Sequence, residues 1–128
     1  MYDHLNNNVY NILYDSVINT YLVERCGMHP PTAPQYGLAV HSHNDFFASI
    51  AFPSVAELCL RVNQVGKSSV TFEIALFEKG VEAVKSVGEY VHVFVDRHTG
   101  RPNPDGMSLA LRQGLQRLVV PNSLPSKL

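Results

Sequence analysis

Val9-Tyr10-Asn11-Ile12-Leu13-Tyr14-Asp15-Ser16-Val17-Ile18-Asn19-Thr20-Tyr21-Leu22-Val23-Glu24-Arg25-Cys26 is the stretch on which the fold turns. Apolar residues recur at 9, 12, 13, 17 and 21, with a second row at 10, 14, 18 and 22. Those are helical spacings, and two adjacent rows predict a helix of about five turns with a wide apolar face, largely buried. Asn6, Asn7 and Asn8 stand where an N-cap is expected, and Gly27 where a left-handed C-terminal cap belongs. Met28-His29-Pro30-Pro31 to Pro34 then reads as a rigid, irregular connector.

Downstream the period drops to two. Leu58, Leu60 and Val62 alternate with Glu57, Cys59, Arg61 and Asn63, and Val70, Phe72, Ile74 and Leu76 with Ser69, Thr71, Glu73 and Ala75. Gln64-Val65-Gly66-Lys67 between them predicts a hairpin, and Glu78-Lys79-Gly80 a second turn. Val84 to Val95 reads as a third strand, with Val91, Val93 and Val95 on one face and Tyr90, His92 and Phe94 on the other. Gly37 to Ile50 reads as a less regular strand ended by Phe52-Pro53. After Gly-Arg-Pro-Asn-Pro, the spacing of Met107, Leu111, Leu115 and Leu118 predicts a short helix. The expected order is helix, antiparallel meander, short helix: an α+β domain with a sheet wrapped against one helix.

The chain has 128 residues, the size of one domain. It is 45% hydrophobic and 16% charged. That composition is enough to fill a core. Ten Lys+Arg against eleven Asp+Glu provide no basic field for nucleic acid or an anionic membrane. No apolar run approaches the ~20 residues of a membrane span. Cys26 and Cys59 are too few for a disulfide scaffold and read as free thiols in a reducing compartment. Residues 1–20 lack the basic start and apolar stretch of a signal peptide, so a cytoplasmic protein is expected.

Phosphate-loop, dinucleotide, nucleophile-elbow and Cys-x-x-Cys motifs are absent from the sequence. His41 and His43 fall on one face of a strand, a spacing that suits a metal, but no third ligand pattern accompanies them, and a polar strand face is the better reading. His92 reads as a satisfied sheet histidine, the two cysteines lack a base partner, and Asp15 reads as a solvated or capping residue. The chemistry-bearing feature is the polar turn that opens the apolar helix, Asp3-His4-Leu5-Asn6-Asn7-Asn8-Val9-Tyr10. A helix N-terminus presents unpaired N–H groups and partial positive charge, which can polarise a carbonyl oxygen when a carboxylate stands nearby.

That turn resembles the Gly-His-Val-Asn-Asn-x-x-Tyr signature of hotdog-fold acyl-CoA thioesterases of the 4-hydroxybenzoyl-CoA thioesterase-like family. Phe52-Pro53 with Glu57-Leu-Cys-Leu-Arg-Val62 is similar to the family's second-strand region. Gly66-Lys67-Ser68-Ser69-Val70 resembles its hairpin, and Val91 to Asp96 with Thr99-Gly100-Arg101-Pro102 its last strand and exit turn. The resemblance implies a single hotdog domain over 1–128 that hydrolyses an acyl-CoA thioester to free acid and CoA. Coenzyme A is then part of the substrate, and no cofactor is implied. It further implies a homodimer or homotetramer with the site between subunits. Backbone N–H groups at Asn7 and Asn8 would polarise the thioester carbonyl. His4 and Asn6 would line the mouth, and Lys67, Ser68 and Arg97 would meet the phosphates of CoA.

The family's aspartate lies three residues ahead of the glycine that aligns with Asp3. On this register it falls just before Met1, together with the family's first strand. Asp3 is left as the carboxylate on offer, and a mitochondrial form is implied if an upstream segment is missing. The alternative reading is a non-catalytic acyl-CoA-binding or interaction module. A dehydratase of the same fold is a third, without the histidine-plus-acid arrangement such enzymes carry.

Overall fold

The structure is a computed structural model that describes residues 7–29, 32–48 and 55–119, with side chains from Tyr10 onward. Asp3, His4 and Asn6, the side chains of Asn7 and Asn8, and the Phe52-Pro53 strand end lie outside the described residues. Helix α1 (Asn7–Cys26) is followed by β1 (Gln35–Phe46), β2 (Ala56–Val65), β3 (Ser69–Glu78), β4 (Ser86–Asp96) and α2 (Leu109–Gln116). The architecture is α+β, one antiparallel four-stranded sheet with two helices.

Helix α1 begins two residues ahead of its apolar rows, so Asn7 and Asn8 are helical rather than capping. It ends as expected. Gly27 takes the left-handed conformation, with φ 70. The amide of Met28 turns back onto the carbonyl of Leu22, six residues earlier, at 3.1 Å, so the chain folds back over the last turn. The two apolar rows are not equivalent. Tyr10, Tyr14, Ile18, Leu22 and Cys26 are buried, whereas Leu13 and Tyr21 only border the core and Ile12 is 64% exposed. The expectation of a largely buried helix is therefore corrected to one narrow buried row. Four strands cover one side of the helix, and the row of Leu13, Val17 and Tyr21 is left facing a groove of about 360 Å³ between α1 and β2.

The strand order is β1-β4-β3-β2, all pairs antiparallel. This corrects the expected meander: β2, β3 and β4 do run as one, but β1 pairs with β4 rather than β2. Alternation tells which side chains share a face and is silent on which strands are neighbours. The expected faces hold as far as Phe94, since Tyr90, His92 and Phe94 are buried beneath the helix while Val91 and Val93 are half-buried; Val95, on the face of Val91 and Val93, is buried as well. Phe72, Ile74 and Leu76 of the central strand β3 are fully buried. Each contributes about 1.5–3 kcal/mol of transfer free energy.

Helix α2 closes one end. The Ser108 hydroxyl accepts from the Leu111 amide at 3.3 Å as its N-cap, satisfying a donor that the helix start leaves free. Leu111 and Leu115 pack into the same core as α1 and the sheet. The buried Gln35 side chain ties the start of β1 to this end: Nε2 donates to Asp96 Oδ1 and the Gly106 carbonyl, and Oε1 accepts from the Ser108 amide. No helix among the described residues is long and apolar enough to cross a membrane.

Candidate active site

The N-terminal end of α1 carries the candidate chemistry. Its first four amides have no carbonyl to meet within the helix, and the aligned peptide dipoles leave this end partly positive. The first turn holds no acidic residue to neutralise it. The sheet positions this end firmly. The Tyr10 ring meets Phe46 of β1 edge-on at 4.8 Å, and the Tyr14 hydroxyl bonds that of Ser86 at the start of β4. Gly88 allows the approach, since a Cβ there would stand 2.6 Å from Tyr14 Cε2.

Beside this contact runs a polar seam between α1, β1 and β4. Asn11 Oδ1 accepts from the Tyr90 hydroxyl at 2.8 Å and from the Asn44 amide at 3.1 Å. Tyr90 stacks edge-on against Tyr14 with ring centroids 5.9 Å apart. Burial pushes the Tyr90 phenol above its ordinary 10.0, against a smaller opposing effect of its bond with Asn44. The hydroxyl therefore stays protonated as a donor. One turn further along the same helix face, Asn19 Nδ2 donates to the exposed Asp15 carboxylate at 3.0 Å.

His92, on the same sheet face, departs from the expectation of a satisfied histidine. It is 5% exposed, packs edge-on against Phe72, and neither ring nitrogen has a hydrogen-bond partner among the described residues. Desolvation pulls its pKa below 6.5, partly opposed by the charge of Asp15. The imidazole is thus neutral at pH 7. The strand pattern predicted burial, but a partner is a tertiary matter that alternation cannot supply.

His41 and His43 do share a face, with ring centroids 5.8 Å apart, and His43 Nδ1 lies 4.0 Å from Glu89. No cluster of three or more metal-ligating side chains suited to an ion occurs among the described residues. Cys26 is buried against α2, and burial raises its thiol pKa above the ordinary 9.0, which makes it a poor nucleophile. Cys59 is exposed and free.

The remaining expected site residues lie far from the helix start. Ser68 accepts the Phe94 amide through its carbonyl at 2.7 Å, while Tyr14 sits at Ser86. Ser86 and Phe94 are eight residue steps apart along β4, about 26 Å at roughly 3.3 Å per residue. Lys67 is exposed beside Ser68, its carbonyl held by the Met107 amide at 2.9 Å and by Arg112 at 3.0 Å. Arg97 belongs to the same end: Nε donates to the Ala33 carbonyl at 2.7 Å and the guanidinium lies 5.2 Å from the Tyr36 ring centroid, within reach of a cation–π attraction. The structure thus gathers Lys67, Ser68 and Arg97 at the end of α1 opposite Asn7 and Asn8.

Sequence reasoning missed Asn11, Asn44 and Tyr90. A signal was present: Asn7, Asn11, Asp15 and Asn19 recur every four residues and mark one polar stripe along the helix.

The thioesterase superfamily model matches residues 2–85, a span that includes all of α1 and of β1, β2 and β3. Among solved structures, the PA5185 protein of Pseudomonas aeruginosa strain PAO1 superposes with a TM-score of 0.86 at 41% identity, covering 93% of this chain and 82% of that one. SAV2348 of Staphylococcus aureus, in complex with CoA, gives 0.82 at 12% identity over 98% of this chain and 80% of its own. A thioesterase superfamily protein of Jannaschia sp. CCS1 gives 0.77 at 22% identity over 88% of this chain and 70% of its own. At those identities the last two speak to the fold alone. No curated protein matches the chain.

Proposed function

This chain belongs to the thioesterase superfamily, and from that premise we propose that it binds acyl-CoA and hydrolyses the thioester to free acid and CoA. The observation that carries the reading is the N-terminus of α1, anchored by the Tyr10–Phe46 and Tyr14–Ser86 contacts and free of acidic residues in its first turn. Amides at Asn7 and Asn8 would donate to the thioester carbonyl as it becomes an oxyanion. Water adds to the carbonyl carbon, the C–S bond breaks, and the proton given up by water ends on the departing sulfur. Asp3 is the carboxylate assigned to receive that proton first. His4 and Asn6 line the mouth, and Lys67, Ser68 and Arg97 take the phosphates of CoA. The binding of CoA by the distant structural relative from S. aureus favours a CoA-bearing substrate.

The working unit is a homodimer of hotdog domains, each with its sheet curled round α1. Strand β1 is an edge of the sheet, and Leu38, Val40, Phe46 and Phe47 along and just beyond it are exposed apolar side chains. Such an edge is a liability that pairing with a second copy removes. A second reading is acyl-CoA binding without turnover, in which the helix end polarises the carbonyl but no carboxylate activates water. Steady-state hydrolysis of a panel of acyl-CoAs by the chain and by Asp3→Asn, with light scattering on the same samples, decides between them. Turnover lost in Asp3→Asn supports the enzyme with Asp3 as its carboxylate. Tight binding with no turnover leaves the binding module, and a stable monomer at micromolar concentration removes the dimer.

A further inference from the structure

The Asn11 side chain is held in an unusual way for an exposed asparagine. Its Oδ1 accepts two hydrogen bonds at once, from the Tyr90 hydroxyl at 2.8 Å and the Asn44 amide at 3.1 Å. Both donors are held in the same seam, and Tyr90 is 7% exposed and packed against Tyr14, which bonds Ser86. With the carbonyl end of the Asn11 amide so occupied, its orientation is set, and Nδ2 makes no hydrogen bond among the described residues. An exposed asparagine loses rotamer entropy when it donates a hydrogen bond; here the network has already imposed that loss.

The place matters as much as the orientation. Asn11 is one turn, about 6 Å, beyond Asn7 on the same helix face. Helical side chains lean toward the N-terminus, so Asn11 covers the turn that begins with Asn7 and Asn8. A fixed amide donor and the positive helix end therefore border one patch.

Resting on the thioesterase reading above, we propose that Asn11 Nδ2–H donates to a carbonyl oxygen of the bound acyl-CoA, and that Tyr90 and Asn44 are positioning residues that aim it. The acceptor is either the thioester carbonyl or the nearest pantetheine amide carbonyl; the two present the same chemistry to an N–H donor. Polar acyl-CoA recognition is in this way built into the seam between α1, β1 and β4 rather than into the helix end alone.

The test uses Asn11→Asp, which keeps the shape and the acceptor oxygens for Tyr90 and Asn44 but removes both donors, alongside Asn11→Ala and Tyr90→Phe. Melting temperature reports the fold. Asn11→Asp and Asn11→Ala are expected to lower kcat/KM for acyl-CoA about 10²-fold, in line with loss of one preorganised donor, and Tyr90→Phe to lower it less. The same variants are then run on the acyl-N-acetylcysteamine thioester, which keeps one amide, and on the acyl-ethanethiol ester, which has none. A loss that persists on the ethanethiol ester, and falls on kcat, assigns the thioester carbonyl. A loss confined to the amide-bearing substrates, and falling on KM, assigns the amide. Folded Asn11 variants with wild-type kcat/KM on acyl-CoA overturn the proposal. If the wild-type chain binds acyl-CoA without turning it over, calorimetric Kd replaces kcat/KM, and an unchanged Kd in Asn11→Ala overturns it equally. A wild-type chain that neither binds nor hydrolyses acyl-CoA removes the thioesterase reading, and this inference with it.

Discussion

Replacing Asn7 by proline separates the helix-end amide from everything else at the site. Asn7 is the first helical residue of α1. Proline is best tolerated at that position, because its locked φ suits a helix and the missing N–H had no intrahelical partner. The substitution should therefore leave the fold and melting temperature close to wild type while deleting one donor from the patch that faces the thioester. Loss of one oxyanion donor costs about 10²–10³-fold in kcat, or roughly 2.7–4 kcal/mol of transition-state stabilisation. Asn7→Ala is the companion variant, since it removes the side chain and keeps the amide. Steady-state release of CoA thiol, followed with a thiol reagent, should show Asn7→Pro down about 10²-fold and Asn7→Ala near wild type. A folded Asn7→Pro that hydrolyses as fast as wild type would refute the amide's role. Equal losses in the two variants would move the role to the side chain.

Arg61→Ala should destabilise by about 3 kcal/mol in denaturant unfolding, because a buried carboxylate is stripped of its ion pair. The carboxylate is that of Glu73, and pairing Arg61→Met with Glu73→Leu should recover most of the loss. Gly88→Ala should cost about 1–3 kcal/mol through overpacking. Its Cβ would collide with Asn44 Oδ1 and the Tyr14 ring, so an unshifted melting temperature would mean that the seam is looser than the structure indicates. His92→Leu should be at least as stable as wild type at pH 7, because it removes two buried ring nitrogens that have no partner among the described residues and whose desolvation is uncompensated. The wild-type imidazole has its folded pKa pulled below the ordinary 6.5, so the unfolded chain takes up the proton first on acidification. Stability therefore rises with pH through the window just below 6.5 and is flat, for this group, above it. Thermal melts from the acidic side of that window to neutrality should show a shallower slope in His92→Leu.

Most of the fold was legible because its signals are local. The four-residue recurrence of Tyr10, Tyr14, Ile18 and Leu22 marks the buried row of α1, and the alternation through Leu58–Val62 and Val70–Leu76 marks the faces of β2 and β3. What stayed hidden was relational. Leu13 and Ile12 are as apolar as Ile18, and no property of the sequence said that the sheet would cover one row and leave the other at a groove. The pairing of β1 with β4 was hidden for the same reason, since each strand carries its face pattern and no statement of its neighbour.

The site divides along the same line. A helix start is written in sequence, so Asn7 and Asn8 could be nominated from the chain alone. A hydrogen-bond network is not: Asn44 and Tyr90 lie 33 and 79 residues beyond Asn11 along the chain, and only the β1–β4 register brings the three together. The same register separates what resemblance had grouped. Ser68 sits beside Phe94 and Tyr14 beside Ser86. The hairpin with Lys67 and the Tyr14 turn of α1 therefore stand about 26 Å apart along β4, at the usual rise per strand residue. One side chain cannot bridge that span, and neither can a small shift of the hairpin, whose Lys67 carbonyl is tied to Met107 and Arg112. Phosphate contacts by Lys67, Ser68 or Arg97 and carbonyl polarisation at Asn7 therefore act on one substrate molecule only if the substrate itself runs the length of α1, or if the two ends come from different copies of the chain. Charge reversal of Lys67 and Arg97 should raise KM for acyl-CoA in either arrangement. Only in the second should mixing a Lys67→Glu/Arg97→Glu chain with an Asn7→Pro chain restore turnover, because heterodimers would then contain one intact composite site. Absence of rescue in verified heterodimers would leave the substrate lying along a single helix.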